Sequence, residues 1–285
     1  MSTTANEVSQ PVRRRVSGAM YFIGPMQVRP RYHANDASRD ILELEPHTVG
    51  IEDARGRPVP PSLDLEGFSL HPHASAVRDF RDPDEVARVY ASEIRALLLQ
   101  CTGADEVVMT PRGVLRFSEL SADCGRLDNS RPARFVHIDV SDATAQEFAR
   151  RSAPPGAGGF TRVAHYNAWR VLTPPPQDVP LALCDARSVA PGDLVPADAV
   201  FDQAGQPEWS FEGLVIRHNP AQRWVYFADM HPDEVLLFKT NDTAPGHAHH
   251  VPHSAFTDHG CPPGVPPRAS IEMRGIAYWR DRSGP

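Results

Sequence analysis

The sequence predicts a mainly β protein, built as a sandwich or a barrel, from three observations. Proline accounts for 29 of the 285 residues. Because proline fixes φ and lacks a backbone donor, so many prolines argue against a mostly helical chain. Hydrophobic residues make up 41% of the sequence, which is enough to build a core. Short apolar runs bounded by proline and glycine recur along most of the chain, as expected for many short strands.

The N-terminal part divides into a polar leader and a β-rich extension. Residues 1–17 are polar and lack hydrophobic periodicity, so we expect a disordered leader. Residues 18–104 form the extension, and its short apolar runs lie at 19–23, 41–44 and 48–51. The Arg55–Gly56 step after the third run is typical of a hairpin turn. We expect a single domain over residues 18–285 that includes this extension.

The clearest helix is predicted to begin at Asp82. Asp82 can cap it, Pro83 suits the first helical position, and Glu85 completes a pattern similar to a capping box. Apolar residues then recur at helical spacing: Val86, Val89, Tyr90, Ile94, Leu97 and Leu98. Gly103 ends the helix. We expect this apolar face to pack against a sheet.

Beyond residue 106 the pattern changes to short strands. Candidates are residues 107–110, 114–117, 134–140, 163–172, 181–184, 213–217, 224–229, 235–240 and 270–278. A helix over residues 143–151 interrupts them. Many short strands joined by segments rich in proline and glycine favour a sandwich or a barrel.

Charge and cysteine content argue against several classes of protein. The net charge is −7, and the only basic run is residues 13–15 of the leader, so we expect no nucleic-acid partner. No apolar stretch approaches the ~20 residues that a membrane span needs, and no signal-peptide core is evident. The four cysteines are scattered without C-x-x-C spacing: Cys101, Cys124, Cys184 and Cys261. Reduced thiols in a cytoplasmic protein are therefore expected.

A His-x-Asp pair within a predicted strand is the first candidate for chemistry. His137 and Asp139 are two residues apart, so on a strand their side chains point to the same face. One histidine nitrogen and one carboxylate oxygen supply two ligands of a 2-His-1-carboxylate site. Such a site leaves positions on Fe(II) open for O₂ and a co-substrate. The pair alone is weak evidence, because a surface His–Asp pair has the same spacing.

Late histidines offer a third ligand. They are His247, His249, His250, His253 and His259. The first three follow Pro245–Gly246, which indicates a loop. His253 is preferred because an apolar residue returns at Phe256, where the chain can re-enter the core. His250 is the second choice, and a solvated histidine-rich loop is the alternative.

Two further predicted strands carry candidates for binding a carboxylate or a substrate. Arg268 and Ser270 share a face, and an arginine can clamp a carboxylate while a nearby hydroxyl adds a third hydrogen bond. An edge-strand arginine in solvent is the alternative. Arg170 is a candidate second carboxylate partner, with a Trp–Arg packing pair as the alternative. Asn167, Trp169 and Phe256 are candidates for the substrate pocket, although aromatic residues at strand spacing more often belong to a core.

Several segments occur together in an order that resembles a known family. They are residues 48–56, Glu66-Gly67-Phe68, Val136-His137-Ile138-Asp139, Asn167-Ala168-Trp169-Arg170, Trp224-Val225-Tyr226, residues 232–239, His253-Ser254-Ala255-Phe256 and residues 268–274. The joint pattern resembles the CmcJ/NvfI family over residues 20–278. That family includes gibberellin desaturase-like proteins, fungal hydroxylase/desaturases and a meroterpenoid endoperoxidase.

The resemblance implies a double-stranded β-helix, the cupin-like jelly roll, with flanking helices and Fe(II)/2-oxoglutarate chemistry. By position, the iron ligands would be His137, Asp139 and His253, with the third reaching in from a strand on the facing sheet. Arg268, together with Ser270 and Arg170, would hold 2-oxoglutarate.

Fe(II), 2-oxoglutarate and O₂ would then oxidise a small molecule, by hydroxylation or desaturation, in specialised metabolism. The family also includes a protein described as part of a methoxylation system, so the reaction stays open. Two alternatives remain: a metal-dependent enzyme of this fold that does not use 2-oxoglutarate, and a non-catalytic partner subunit. We expect no membrane partner, and a homodimer is open.

Overall fold

The computed structural model describes residues 15–155 and 159–281, and most strands lie in two β-sheets. The strands are β1 Arg15–Ile23, β2 Arg31–His33, β3 Leu44–Asp53, β4 Phe68–Pro72, β5 Glu106–Met109, β6 Val114–Phe117, β7 His137–Ile138, β8 Phe160–Val171, β9 Leu181–Cys184, β10 Leu194–Phe201, β11 Trp209–Ile216, β12 Trp224–Tyr226, β13 Glu234–Asp242, β14 His253–Ala255 and β15 Ala269–Arg280. The helices are α1 Pro83–Glu85, α2 Ala91–Thr102 and α3 Asp142–Ser152, and a π-helical turn at Val86–Tyr90 joins the first two.

The two sheets face each other across a shared core. The larger sheet has nine strands in the order β1-β3-β12-β9-β14-β7-β11-β10-β2. The smaller has six, in the order β4-β13-β8-β15-β5, and β6 also pairs with β15. Leu183 and Val225 of the larger sheet pack with Trp169, Leu236 and Phe238 of the smaller. These curled, facing sheets form the jelly roll, so the predicted fold class is confirmed.

The predicted helix after Asp82 is confirmed, with one difference at its first turn. The Asp82 side chain accepts hydrogen bonds from the backbone N–H groups of Asp84 and Glu85, and Gly103 ends the helix at a φ of 65°. Glu85 does not complete a capping box. Its carboxylate instead accepts from the backbone N–H groups of Arg78 and Asp79. These hydrogen bonds hold the preceding loop against the first turn of the helix. The apolar side of the helix packs on the smaller sheet.

The N-terminal extension is part of the jelly roll and not an appendage to it. β1 pairs antiparallel with β3, and β3 continues the larger sheet through a parallel pairing with β12. The Arg55–Gly56 hairpin prediction was wrong, since Ala54–Gly56 is a 3₁₀ turn and neither partner of β3 is the next strand. Residues 15–17 of the expected disordered leader lie in β1. Residues 1–14 lie outside the described part of the chain.

The remaining predicted elements are found with shifted ends. α3 confirms the helix near residues 143–151. The strand predicted over 134–140 is reduced to the two residues of β7, while β8, β11, β13 and β15 are longer than expected. β2, β4, β10 and β14 were not among the predicted strands. In the described ranges, no helix has both the length and the apolar character needed to cross a membrane.

Candidate metal centre

Three potential metal ligands meet on the inner face of the larger sheet. β7 and β14 are antiparallel neighbours, and their register places His137 directly opposite His253. Asp139 follows β7, two residues after His137, and therefore points to the same side. The Nε2 atoms of both histidines lie 3.5 Å from Oδ1 of Asp139. All three side chains are buried, and their ligand atoms lie within 4.8 Å of one another, which is close enough for a single ion.

Backbone carbonyl groups orient both histidine rings. Nδ1 of His137 lies 3.0 Å from the carbonyl oxygen of Phe135, and Nδ1 of His253 lies 3.1 Å from that of Val251. A proton on each Nδ1 can be donated to these oxygens. The lone pair of each Nε2 is then left facing Asp139, which is the usual arrangement around a histidine that binds a metal. In both cases the carbonyl belongs to the residue two positions before the histidine along the chain.

The smaller sheet orients the carboxylate. The Asn167 amide donates to Oδ2 of Asp139 at 2.8 Å, and Nη2 of Arg274 lies 3.2 Å from the same oxygen. Oδ1 is therefore left for the histidines. Burial alone would raise the pKa of Asp139, but Arg274 and both histidines outweigh it and hold this pKa well below its usual range. Burial and the neighbouring His253 lower the pKa of His137. An ionised carboxylate beside a neutral imidazole is what a divalent metal requires.

The close approach of β11 to this corner requires a glycine. Gly213 lies beside the end of β7, and a Cβ atom built there would be 2.9 Å from the backbone oxygen of Asp139 and 3.0 Å from the Tyr32 hydroxyl oxygen. The first contact is with backbone, which cannot rotate away as a flexible side chain can. A side chain at this position would therefore displace Asp139.

A cavity, called here the arginine cavity, opens on one side of the three ligands. The residues that matter for its chemistry are Arg116, His137, Trp169, His253, Arg268 and Glu272. Arg268 is almost fully buried, donates from Nη1 to the Ser270 hydroxyl, and has a buried Nε without a partner in the described ranges. Burial and the nearby Arg116 lower the pKa of Arg268 to about 10. The guanidinium is therefore still a cation at neutral pH, and it faces the metal ligands across the cavity.

A second cavity, called here the aromatic cavity, adjoins the first and is bordered by His137 and Asp139. Its volume is about 310 Å³. Tyr32, Phe135, Phe201 and Phe211 contribute aromatic walls, and His137, Asp139, Arg116, Arg131, Arg134 and Arg274 also line it. His137 borders both cavities, His253 borders the arginine cavity and Asp139 borders the aromatic cavity. The arginine cavity contains the buried Arg268, and the aromatic cavity is large enough for a small organic molecule.

The structure corrects two of the predicted site residues. Arg170 lies on the opposite face of β8 from Asn167, where its guanidinium bonds to the Tyr90 hydroxyl and to the carbonyl oxygens of Pro232 and His73. It therefore points into the helix-covered side and cannot reach the arginine cavity. Phe256 is fully buried in the core on the far face of the larger sheet, against Tyr226. The predictions for Arg170 and Phe256 were wrong.

Two other predicted residues lie near the ligands in roles that differ from the expected ones, and a third, His253, differs only in the sheet to which it belongs. Asn167, expected to contact substrate, bonds to Asp139 instead. Trp169 lines the arginine cavity, with its ring 5.8 Å from Cζ of Arg268. His253 is brought to Asp139 as expected, but β14 lies beside β7 in the same sheet and not in the facing one.

The other late histidines point elsewhere. His247 pairs with Asp64, and His249 bonds to Asp142 and to the carbonyl oxygen of Asp242. Burial and the neighbouring His249 lower the pKa of His250 to about 4. None of these histidines belongs to the group of ligands found in the described part of the chain.

Sequence analysis missed Glu272, Arg274 and Arg116. Arg274 donates to Glu272 from Nε at 3.0 Å and from Nη2 at 2.8 Å, and so bridges Glu272 to Asp139. Burial would lower the pKa of Arg274, but the two carboxylates outweigh it and raise this pKa. The sequence offered a signal for Glu272 and Arg274, because they continue the every-second-residue pattern that begins with Arg268 and Ser270. It offered none for Arg116.

The fold and the ligand group together define a jelly-roll protein with a two-histidine, one-carboxylate centre. Two nitrogen donors and one oxygen donor suit a non-haem Fe(II) ion with open coordination positions. Both cavities adjoin the ligand group. The residues present therefore fit such an ion.

Comparisons with known proteins agree with this class. The family model described as an oxidoreductase/YMDC permease-like domain matches residues 20–278. The chain is 34% identical over 264 residues to hydroxylase/desaturase efuI of Hormonema carpetanum, covering 85% of this chain and 86% of that protein. It is 29% identical over 252 residues to the Fe(II)/2-oxoglutarate-dependent dioxygenase nvfI of Aspergillus novofumigatus, covering 82% and 84%.

A solved structure of the iron and alpha-ketoglutarate-dependent endoperoxidase NvfI superimposes with a TM-score of 0.82 at 25% identity. The match covers 94% of this chain and 99% of that one. The chain therefore belongs to this oxidoreductase family, and the resemblance to the CmcJ/NvfI family is confirmed.

Proposed function

We propose that the chain is a non-haem Fe(II)/2-oxoglutarate-dependent oxygenase that hydroxylates or desaturates a small molecule in specialised metabolism. The observation that carries this proposal is the buried Arg268, which has no ion-pair partner among the described residues and lines the same cavity as His137 and His253. Relatives named hydroxylase/desaturase and Fe(II)/2-oxoglutarate-dependent dioxygenase support the same reading.

His137, Asp139 and His253 would hold the iron. Bound there, Fe(II) together with 2-oxoglutarate and O₂ would supply the oxidising power that no side chain possesses. The chain contributes the fixed geometry. Carbonyl groups of the strands hold both imidazoles with Nε2 free, and Asn167 and Arg274 hold the carboxylate with Oδ1 free.

Arg268 and Ser270 would receive the distal carboxylate of 2-oxoglutarate. The Ser270 hydroxyl accepts from Nη1 of Arg268 and so fixes the rotation of the guanidinium. A planar guanidinium held in this way presents parallel N–H donors to a carboxylate. Trp169 packs beside it as one wall of the arginine cavity and limits access of water.

The aromatic cavity would hold the substrate. It touches His137 and Asp139 directly, so a C–H bond of a molecule bound there lies next to the iron ligands. The aromatic side chains would position an apolar skeleton by shape. The position of that skeleton relative to the metal would decide between hydroxylation and desaturation.

The experiment is an anaerobic titration of the Fe(II)-loaded protein with 2-oxoglutarate, followed by exposure to O₂ and measurement of succinate and CO₂. We expect saturable 2-oxoglutarate binding that requires Fe(II), and CO₂ release on exposure to O₂. Iron uptake without 2-oxoglutarate binding would instead indicate a metal-dependent enzyme of another kind. Absence of iron uptake by the folded protein would indicate a non-catalytic partner subunit.

We also propose that the protein acts in the cytoplasm on a small molecule without a nucleic-acid partner. A homodimer remains open, and light scattering during size-exclusion chromatography measures it directly.

A further inference from the structure

Two arginines lie side by side in the arginine cavity. β6 pairs antiparallel with β15, and the register places Arg116 directly opposite Ser270. Residues opposite each other in such a pair share a face of the sheet. Ser270 is also the residue that accepts a hydrogen bond from Arg268. Arg116 and Arg268 are thus both associated with Ser270 and both line the cavity, close enough for Arg116 to lower the pKa of Arg268.

Among the described residues, neither of these two cations has a carboxylate partner in an ion pair. Carboxylates act on them only at longer range: Glu272 and Asp139 on Arg116, and Asp178 and Glu119 on Arg268. Two arginines on the walls of the aromatic cavity do have ion-pair partners: Arg134 pairs with Glu119 at 2.7 Å and Arg274 pairs with Glu272 at 2.8 Å. Burial lowers the pKa of both Arg116 and Arg268. Two neighbouring cations removed from water are costly unless an anion lies between them.

Backbone and side-chain oxygens fix the position of Arg116. Its Nη1 donates to the carbonyl oxygen of Arg131 at 2.7 Å, and to the carbonyl oxygen and Oδ1 of Asn129 at 3.2 and 3.1 Å. Acceptors for its Nε and Nη2 are absent among the described residues. The guanidinium is thus anchored by one nitrogen, and its other donors remain available to a ligand.

We propose that Arg116 is a second cationic contact for the distal carboxylate of 2-oxoglutarate, acting together with Arg268. The inference rests on the proposed function. The 2-oxo acid end of the co-substrate would be held at the metal, whereas the pairing of β6 with β15 places Arg116 beside Ser270. Two cations at that end select a 2-oxo acid that carries a second carboxylate, and they disfavour a 2-oxo acid that ends in a methyl group.

Arg116 also borders the aromatic cavity, so the competing assignment is a contact with an anionic group on the substrate. The two assignments differ in what happens to 2-oxoglutarate binding before any substrate is present.

The test measures ligand binding by calorimetry to the Mn(II)-loaded protein, without substrate. The variants are Arg116→Gln, Arg116→Lys and the matched control Arg150→Gln, which alters an exposed arginine of α3 that pairs with Glu147 and lines neither cavity. The ligands are 2-oxoglutarate and 2-oxopentanoate, which has a methyl group where 2-oxoglutarate has its distal carboxylate. Mn(II) affinity and melting temperature are recorded for each variant.

We expect Arg116→Gln to weaken 2-oxoglutarate binding by roughly 10- to 100-fold, the usual loss for one charge-assisted hydrogen bond. Binding of 2-oxopentanoate and Mn(II) should be unchanged. Arg116→Lys should lie between Arg116→Gln and wild type, and Arg150→Gln should behave as wild type.

Wild-type 2-oxoglutarate affinity in Arg116→Gln would overturn the inference and leave the proposed function intact. An equal loss for both 2-oxo acids would also overturn it, because that result indicates a structural role. Absence of 2-oxoglutarate binding to the metal-loaded wild-type protein would overturn the proposed function itself.

Discussion

Replacing Asn167 with leucine removes the amide that holds Oδ2 of Asp139 while keeping a side chain with the same branching and number of heavy atoms. The amide donates at 2.8 Å from a fully buried position. Arg274 remains near the same oxygen at 3.2 Å, so the carboxylate keeps its charge partner but loses its second anchor. Its Oδ1 atom is then free to rotate away from the two histidines.

The expected result is weaker metal binding by a protein that is still folded. A hydrogen bond to a charged group contributes about 1.5–3 kcal/mol, and loss of a group that orients a metal ligand typically costs about 10- to 100-fold in affinity. Both estimates predict a loss of metal affinity in Asn167→Leu of at least tenfold. Competition of the protein with a chelator for Fe(II) under anaerobic conditions measures it.

Asn241→Leu is the matched control. The Asn241 amide also donates to an aspartate at 2.8 Å, but its partner is Asp142, which is outside the ligand group. This variant should lose stability and keep its metal affinity. If Asn167→Leu bound Fe(II) as tightly as wild type, or if Asn241→Leu weakened binding equally, the orienting role of Asn167 would be refuted.

Three further outcomes are expected. Arg268→Lys should raise the KM for 2-oxoglutarate strongly and leave iron bound, since losing a buried paired donor typically costs ~2–5 kcal/mol; an unchanged KM would remove Arg268 from the site. Gly213→Ala should lower Fe(II) affinity because its Cβ would lie 2.9 Å from the backbone oxygen of Asp139. An Fe(II) affinity equal to that of wild type would show that β11 accommodates the methyl group without displacing Asp139. Asp242→Asn should lower the free energy of unfolding by about 3–5 kcal/mol at pH 7, because it leaves the buried Lys239 without its 2.5 Å partner. Burial opposes ionisation of Asp242, but Arg162 and Lys239 outweigh it and lower its pKa. The stability from this pair is therefore present above the unfolded-state pKa of about 3.9 and is lost as pH falls through the lower folded value. Urea unfolding at pH 7 and pH 3 should show a smaller acid effect in the variant, and an equal acid effect would contradict this account.

The sequence predicts features that depend on neighbours along the chain. The cap at Asp82, the end of the helix at Gly103 and the shared face of His137 and Asp139 all follow from spacing within a few residues. The order of motifs then indicates the family and the jelly roll. β10 was missed because Pro196 and Asp198 interrupt its apolar pattern, yet its eight residues pair fully with β11.

Features that depend on pairing between distant strands were beyond sequence reasoning. Strand alternation correctly separates Arg170 from Asn167, but both faces of β8 are buried, one under the helix and one against the larger sheet. Alternation alone therefore does not tell which face meets the metal ligands. The same ambiguity misplaced Phe256. Arg116 lines the arginine cavity because strand pairing places it opposite Ser270. No pattern within a few residues of Arg116 predicts that pairing.

The measurement that tests the central claim most directly is an anaerobic crystal structure with Fe(II) and 2-oxoglutarate. The account predicts an ion bound by Nε2 of His137, Nε2 of His253 and a carboxylate oxygen of Asp139. It also predicts that the distal carboxylate of 2-oxoglutarate lies against Arg268. An ion held instead by His247, His249 or His250, or 2-oxoglutarate bound away from Arg268, would contradict it.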